Sequence, residues 1–185
     1  MRTGRLYVTW NINNKSSLRI LLAPLQFTET GTTDNPIDFA GETYSQGNPV
    51  DATYKFNSWR LGCRFRYLDR EQLKLSVGFT AKLRDAKIEL SQGSTMSKDT
   101  DVGFVPLLHL GANWQFASHW SLMFDADGLA GGPGRAFDAA VKLDYTLNDW
   151  SFRAGYRTVE GGADVEAVYN FAWIHYAVVS AVYRI

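Results

Sequence analysis

The chain has 185 residues, of which 45% are hydrophobic and 14% aromatic, and its mean hydropathy is -0.21. We expect one domain over residues 1–185, with apolar residues too dispersed to supply the roughly 18 consecutive apolar positions of a membrane-spanning helix. Nineteen basic and nineteen acidic residues cancel, so no net charge favours nucleic acid. The single cysteine, Cys63, excludes an intrachain disulfide.

Alternation of apolar and polar residues predicts β-strands, because successive side chains of a strand point to opposite faces. The clearest strand contains Trp59, Leu61 and Phe65, which alternate with Arg60 and Arg64. Nine strands are predicted in all, at 4–12, 17–28, 53–67, 72–90, 102–116, 119–129, 134–147, 149–160 and 164–185. The strand 72–90 loses its alternation after Leu83, where we expect it to leave an apolar environment.

The connections between these strands alternate in length. Tight turns are predicted at 13–16, 68–71, 117–118 and 148–149. Long or glycine-rich loops are predicted at 29–52, 91–101, 130–133 and 161–163. Short turns on one rim and longer loops on the other are typical of bacterial outer-membrane β-barrels.

The strand directions bear on the number of strands. With nine strands, 4–12 and 164–185 would run the same way, and closing the barrel would place them in parallel, which single-chain bacterial barrels avoid. We therefore expect a further strand and an export signal before Met1, which gives ten strands, or else an eight-stranded barrel with 4–12 outside it.

Aromatic residues support a membrane environment, because they cluster beside the tight turns and at the C-terminus, where amphipathic rings favour a membrane interface. This set is Phe65, Tyr67, Trp114, Phe116, Trp120, Tyr145, Trp150 and Tyr183. The predicted fold class is all-β, an antiparallel up-and-down transmembrane β-barrel of 8–10 strands. The alternative is a lipocalin-like barrel with an apolar interior and exposed arginines.

The polar face carries many charges, which a transmembrane barrel would direct into its lumen. The predicted lumen-lining residues are Arg60, Arg64, Arg66, Lys74, Lys82, Arg84, His109, Asp125, Asp127, Asp138, Lys142, Asp144, Arg153 and Arg157. Basic and acidic side chains lie on different strands, so they can pair and plug the lumen. The alternative is a charged pore with an anion site on the basic wall.

Candidate catalytic residues are few. His109 can face Asp125 or Asp127 from an adjacent strand, with Ser121 near in sequence, so these residues are candidates for a Ser/His/Asp set. We expect instead a hydrogen-bonded lumen histidine, with no catalytic residue, no metal site and no cofactor. The glycines at 128, 131, 132 and 134 lack the Gly-Lys-Ser/Thr ending of a phosphate loop and predict a flexible outer loop.

In its alternation, aromatic bands and loop asymmetry, the chain resembles small bacterial outer-membrane barrels of the OmpA/OmpX/OmpW type. The resemblance is architectural and covers nearly the whole chain. The segment 179–185 is similar to the C-terminal signal that barrel-assembly machinery recognises, although it ends in Ile185, with Tyr183 two positions earlier. The resemblance implies a porin-like monomer in the outer membrane of a Gram-negative bacterium, with membrane lipid and the assembly machinery as partners.

The functional expectation is a non-enzymatic barrel with an ion-paired lumen and outward-projecting loops, chiefly 29–52, in a structural or interaction role. The first alternative is a narrow channel for small anionic solutes. The second is a lipid A-modifying enzyme.

Overall fold

A computed structural model describes residues 3–131, 134–165 and 168–185. Within these ranges, no helix is long and apolar enough to cross a membrane. The strands are β1 (Leu6–Asn11), β2 (Ser16–Ala23), β3 (Gln26–Gly31), β4 (Ile37–Phe39), β5 (Glu42–Tyr44), β6 (Val50–Asp69), β7 (Leu73–Gln92), β8 (Thr95–Ala117), β9 (Trp120–Gly131), β10 (Gly134–Leu147), β11 (Trp150–Val165) and β12 (Val168–Tyr183).

Ten strands of the described chain form one sheet, in the order β1-β2-β6-β7-β8-β9-β10-β11-β12, with β3 pairing to β6. Strands that neighbour each other from β8 to β12 are consecutive in sequence and antiparallel. The predicted all-β, antiparallel up-and-down fold class is therefore confirmed, and the sheet is consistent with a β-barrel of the predicted strand number. β4 and β5 form a separate two-stranded sheet.

Tight turns hold the register of the long strands. Leu147 pairs with Trp150 across a two-residue turn, in which Asn148 adopts a φ of 51°. Asparagine tolerates this left-handed conformation better than most residues, so it suits a hairpin of this length. The register matters because a slip of one residue would transfer every charged side chain to the opposite face.

Two predicted boundaries in the N-terminal part differ from the structure. The predicted strand 17–28 is divided into β2 and β3 at Pro24, which cannot donate to a strand ladder. The predicted loop 29–52 contains the β4–β5 hairpin, which turns at Ala40 and Gly41, with φ values of 47° and 87°. Two positive φ values are typical of the type I′ turn that joins paired strands.

Two predicted loops are wrong because the strands are longer than expected. The segment 91–101 mostly belongs to β7 and β8, which meet in a tight turn where Gly93 has a φ of 59°. The segment 161–163 lies within β11. The segment 91–101 is polar and the segment 161–163 is Gly-Gly-Ala, so neither alternates in hydrophobicity and periodicity did not reveal them. In the predicted loop 130–133, residues 132 and 133, including Gly132, fall outside the described residues.

The chain divides into two compact units. The first comprises Met1–Val8, Ile20–Leu61 and Lys82–Val105, and the second comprises Thr9–Arg19, Gly62–Ala81 and Pro106–Ile185. Both units bury polar side chains and expose large apolar ones.

In the first unit, Arg60 and Lys82 are buried, whereas Phe104 is 69% exposed. Its buried apolar residues include Leu21 and Val50. The interior of this unit therefore contains charged groups, which soluble proteins almost never bury without partners.

In the second unit, the contrast between buried charged residues and exposed apolar residues is larger. Asp138 and Arg157 are each 3% exposed, and His109 is 1% exposed, whereas Phe79 is 71% exposed. Most of the buried apolar residues here are alanines, at positions 126, 136, 139 and 140.

Candidate functional site

The candidate site in the second unit lies on the polar faces of strands β6 to β9. His109 on β8 stands opposite Asp127 on β9, and Gly111 stands opposite Asp125. Because alternate residues share a face, these strands direct a histidine and two carboxylates to the same side of the sheet. The sequence-based expectation that His109 faces Asp125 or Asp127 is confirmed, with Asp127 as its partner.

His109 and Asp127 form a buried hydrogen-bonded pair. Nδ1 of His109 lies 2.9 Å from Oδ1 of Asp127, and Thr80 Oγ1 donates to the same oxygen at 3.0 Å. An ionised carboxylate can only accept, so Nδ1 carries the hydrogen. This contact fixes the orientation of the ring and directs Nε2 away from β9.

Asp125 is the centre of the main ion-pair network. Nη1 of Arg64 and Nη1 of Arg19 each donate to Oδ2 of Asp125 at 3.1 Å. Arg19 comes from β2 and Arg64 from β6, so one carboxylate joins three strands that are distant in sequence. Two guanidinium groups on one carboxylate compensate the cost of burying its charge.

The remaining acidic residues pair with arginines on the neighbouring strand. Arg157 Nη1 donates to Asp138 Oδ1. Arg153 Nε donates to Asp144 Oδ1 at 2.6 Å. Asp144 also accepts from Thr146 Oγ1 at 3.2 Å. Pairing along the sheet is therefore as prominent here as pairing between distant strands.

Ser121 takes no part in a Ser/His/Asp arrangement with His109. Its hydroxyl accepts from Asn113 Nδ2 at 3.2 Å and lies 3.5 Å from Asp144 Oδ2.

Three predicted lumen residues of this unit are less enclosed. Arg66 donates to Asp69 Oδ2 at 3.0 Å and to the Asn14 carbonyl at 3.1 Å. Lys142 is half-buried and Lys74 is exposed.

The first unit holds the other three predicted residues, Arg60, Lys82 and Arg84. Arg60 Nε donates to Ser58 Oγ at 2.9 Å. The ammonium group of Lys82 lies 5.0 Å from the centre of the Phe56 ring, within the range of a cation–π contact. Arg84 pairs with Asp101 on β8.

Beyond Leu83 on β7, Asp85 forms a further ion pair. Its Oδ2 atom lies 2.7 Å from Lys55 Nζ. The hydrogen bond from Lys55 is the main cause that lowers the pKa of Asp85, and a hydrogen bond from Asn57 acts in the same direction.

The residues around His109 do not fit a metal ion. One ligand atom each of His109, Asp125 and Asp127 lies within 4.8 Å of the others. Asp125, however, already binds two arginine side chains, and a cation there would meet both positive charges. The cluster is therefore an ion-pair network rather than a set of metal ligands.

A polar cavity of about 460 Å³ adjoins this network in the second unit. Its wall includes Arg64, Ser76, His109 and Asp125, and extends to turn residues such as Lys15. Among the described residues, the charged lining consists of six basic and two acidic side chains: Lys15, Arg19, Arg64, Arg66, Lys74, Arg184, Asp125 and Asp144. The cavity is therefore polar and electropositive.

Several residues of this site were not predicted, among them Arg19 and Ser76. Arg19 was omitted from the charged face, although its position alternates with the apolar residues Leu18 and Ile20. Ser76 lies on the same face of β7 as Lys74 but is not among the predicted site residues. The alternation of residues 18–22 was a usable signal for Arg19, whereas nothing in the sequence indicates that Ser76 lines a cavity.

No protein-family model matches the chain, and comparison with curated proteins and with solved structures finds no significant match.

Proposed function

We propose that this protein is an integral β-barrel of a bacterial outer membrane, with a non-enzymatic structural or interaction role. The observation that carries the proposal is the inverted distribution of side chains. Phenylalanines such as Phe79 are exposed, whereas ionised residues such as Asp138 and Arg157 are buried in pairs. This inversion is expected where lipid surrounds a sheet whose other face is polar.

The exposed apolar residues form continuous rows in the second unit. This arrangement supports contact with lipid more strongly than the number of exposed apolar residues does. Strand register places Ala112, Phe124, Val141 and Tyr156 side by side on β8, β9, β10 and β11. The adjacent row consists of Trp114, Leu122, Leu143 and Ala154. Soluble monomers rarely expose a contiguous apolar patch of more than about 600 Å², so a continuous band of this kind favours contact with lipid.

The charged interior supports a structural role more than an open passage. Asp125, Asp138 and Asp144 each bind at least one arginine. Breaking such pairs is costly, because it leaves a buried charge uncompensated. A lumen filled by paired charges would hold the strands together and resist free diffusion.

The β4–β5 hairpin of the first unit is a candidate surface for interactions outside the membrane. Tyr44 is fully buried, and its hydroxyl donates to the Leu90 carbonyl at 2.8 Å and lies 2.7 Å from Ser97 Oγ. These bonds attach the hairpin to β7 and β8. The proposed interaction loop is thus an ordered element.

The single cysteine provides a direct test of the lipid-facing surface. Cys63 is exposed and lies on the same face as Leu61 and Phe65. We would attach a nitroxide label to Cys63, reconstitute the protein in phosphatidylcholine bilayers, and compare collisions with oxygen and with a water-soluble nickel chelate. The label should meet oxygen often and the chelate rarely, because oxygen concentrates in the hydrocarbon region.

The matched control is the double variant Cys63→Ser and Asn113→Cys, which moves the label to the polar cavity. The ratio of the two collision rates should then reverse. If the label at Cys63 meets the nickel chelate as often as the label at Asn113, lipid does not cover the apolar face and the proposal is wrong.

The finer assignment is an outer-membrane protein of the OmpA/OmpX/OmpW type, inserted as a monomer by barrel-assembly machinery that binds the C-terminal strand. Density-gradient fractionation of a Gram-negative bacterium that expresses the protein would test this location. Recovery with inner-membrane or soluble markers would contradict it. Deleting residues 179–185 should reduce the amount found in the outer membrane.

A narrow channel for small anionic solutes is the second candidate, and the electropositive cavity lining favours it. Planar-bilayer recordings distinguish the two functions. Stable open steps that disappear when Arg60, Arg64 and Arg66 are replaced by glutamine would favour the channel. Silent bilayers that contain inserted protein would favour the plugged barrel.

A further inference from the structure

The apolar face of the second unit has an edge of aromatic rings near the tight turns. It consists of Tyr145 on β10, Trp150 on β11 and Tyr183 on β12, which share one face of the sheet. The ring centres of Trp150 and Tyr183 lie 4.9 Å apart. Amphipathic rings favour the interface between lipid and water. We call these three residues the aromatic edge.

A polar edge limits the same face at the other end of these strands. It consists of Arg135 on β10, Glu160 on β11 and Trp173 on β12, each ten residues from the aromatic residue of its own strand. Because ten is an even number, both ends of each strand share one face. Arg135 Nε donates to Glu160 Oε1 at 2.7 Å, and Glu160 stands directly opposite Trp173.

Between the two edges, the described residues on this face of the three strands include no Asp, Glu, Lys or Arg. They are Phe137, Ala139, Val141 and Leu143 on β10, Phe152, Ala154, Tyr156 and Thr158 on β11, and His175, Ala177, Val179 and Ala181 on β12. The ion pair of Arg135 and Glu160 therefore marks the place where ionised side chains first occur on this face.

The polar atoms that do lie between the edges bond to other side chains of the sheet. The Tyr156 hydroxyl lies 2.5 Å from Nδ1 of His175, and Trp173 Nε1 donates to Thr158 Oγ1 at 2.6 Å. In water, exposed groups of this kind can bond to solvent, whereas beside hydrocarbon an unbonded polar group is costly. These hydrogen bonds between side chains therefore suit the margin of an apolar layer.

The spacing between the two edges matches the thickness of a membrane. Antiparallel strands rise about 3.4 Å per residue, so ten residues span about 34 Å along the strand. With the tilt of about 35–45° found in membrane barrels, this length corresponds to about 24–28 Å along the membrane normal. The apolar band of such barrels is about 25 Å tall. Three neighbouring strands give the same spacing, so the agreement does not depend on one residue.

We propose that the polar edge lies in the headgroup layer of one leaflet and the aromatic edge in the headgroup layer of the other. The partner of this surface is a phospholipid bilayer with a hydrocarbon layer about 25 Å thick. Arg135 can donate to lipid phosphate, and the ring of Trp173 suits the interface. The inference rests on the proposed function and adds where the hydrocarbon begins and ends on the sheet. Residues 161–165 of β11 consequently project beyond it.

Spin labels at matched depths would test this placement. On β10, Phe137 and Leu143 lie at equal distances from the midpoint between Arg135 and Tyr145, and Val141 lies beside that midpoint. Phe137, Val141 and Leu143 are 41–45% exposed, so a label at each position would not have to enter the polar interior.

Each of these three residues would be replaced by cysteine in the full chain with Cys63→Ser, labelled with a nitroxide and reconstituted in phosphatidylcholine bilayers. The measured quantity is the ratio of collisions with oxygen to collisions with the water-soluble nickel chelate. The ratio should be highest at Val141. It should be equal at Phe137 and Leu143, because each lies at the same distance from the nearer edge.

An unequal ratio at these two positions refutes the placement. A higher ratio at Phe137 than at Leu143 would mean that hydrocarbon extends past Arg135 and Glu160. A lower ratio at Phe137 would mean that the hydrocarbon ends closer to the tight turns.

A second strand provides the same test if a β10 variant does not fold. On β11, Phe152 and Thr158 lie at equal distances from the midpoint between Trp150 and Glu160. Labels at these two positions should also give equal ratios, and a clear difference between them contradicts the placement in the same way.

The labels also separate this inference from the proposed function. If the ratio at Val141 is as low as that of the label at Asn113, lipid does not cover the face and both proposals are wrong. If the ratio at Val141 is high but Phe137 and Leu143 differ, lipid covers the face with other boundaries, and only the placement of the two edges is wrong.

Discussion

Gly78 on β7 occupies a place where no side chain fits. A Cβ atom there would lie 2.1 Å from the carbonyl oxygen of Cys63 and 3.1 Å from Cα of Arg64, both on the neighbouring strand β6. The obstructing atoms belong to the main chain, so no rotation of a side chain can relieve the contact. We therefore predict that Gly78→Ala strongly destabilises the protein.

The magnitude follows from the size of the overlap. Ordinary van der Waals contact begins near 3.4 Å, so the strands would have to separate locally by about 1 Å, which stretches a ladder hydrogen bond beyond its usual range. Losing one or two such bonds costs about 0.5–1.5 kcal/mol each, and overpacking adds about 1–3 kcal/mol. Alanine restores up to about 1 kcal/mol of backbone entropy, which leaves a net loss of about 2–3 kcal/mol.

Urea unfolding in detergent micelles, followed by the fluorescence of the six tryptophans, would measure this loss. Gly31→Ala is the matched control, because nothing lies within 4 Å of a Cβ at that position. It should be as stable as wild type or up to about 1 kcal/mol more stable. If the free energies of unfolding of Gly78→Ala and Gly31→Ala differ by less than about 0.5 kcal/mol, and the dependence of the free energy on urea concentration is unchanged, the close approach of the two strands is wrong.

Three other substitutions test the faces, the ion pairs and the hairpin. Phe79→Arg in a bilayer should cost about 2–4 kcal/mol near the midplane, whereas a water-exposed site would change by about 0.5 kcal/mol or less. Asp138→Asn should lower the free energy of unfolding by about 3–5 kcal/mol, because it leaves the buried charge of Arg157 without its carboxylate partner. Adding Arg157→Gln should recover part of this loss. If the losses of the two single variants in urea unfolding simply add in the double variant, the pairing is wrong. Tyr44→Phe should cost about 1–2 kcal/mol locally and accelerate amide hydrogen exchange in the β4–β5 hairpin, whereas the exposed Tyr67→Phe should leave that exchange unchanged.

Alternation predicted the long strands well wherever one face is apolar. In residues 57–67, the regular exchange of aromatic or aliphatic residues with arginines identified most of β6. The same rule failed at Thr95, where β8 begins in a polar segment that has no apolar face. It also failed for β4 and β5, which are three residues each and too short to show a period.

The candidate site was predictable in composition but only partly in its contacts. Periodicity identified Arg64 and Asp125 as polar-face residues, yet they are 61 positions apart and on strands that are not neighbours. Which arginine meets which carboxylate depends on strand register and local bending, and neither is encoded within a short window. His109 and Asp127 were easier to predict, because adjacent strands joined by a tight turn bring them together.

Asp144 on β10 lies directly opposite Arg153 on β11 and pairs with it, which constrains the substitutions that the two positions can accept during evolution. A lone exchange at either position leaves an unmatched ion, whereas the compensated swap of Asp144→Arg with Arg153→Asp restores neutrality. Positions such as Val141 and Phe152 require only an apolar side chain, so substitutions there need no compensating change elsewhere. Proteins that descend from one ancestor can thus keep this fold although their sequence identity becomes low.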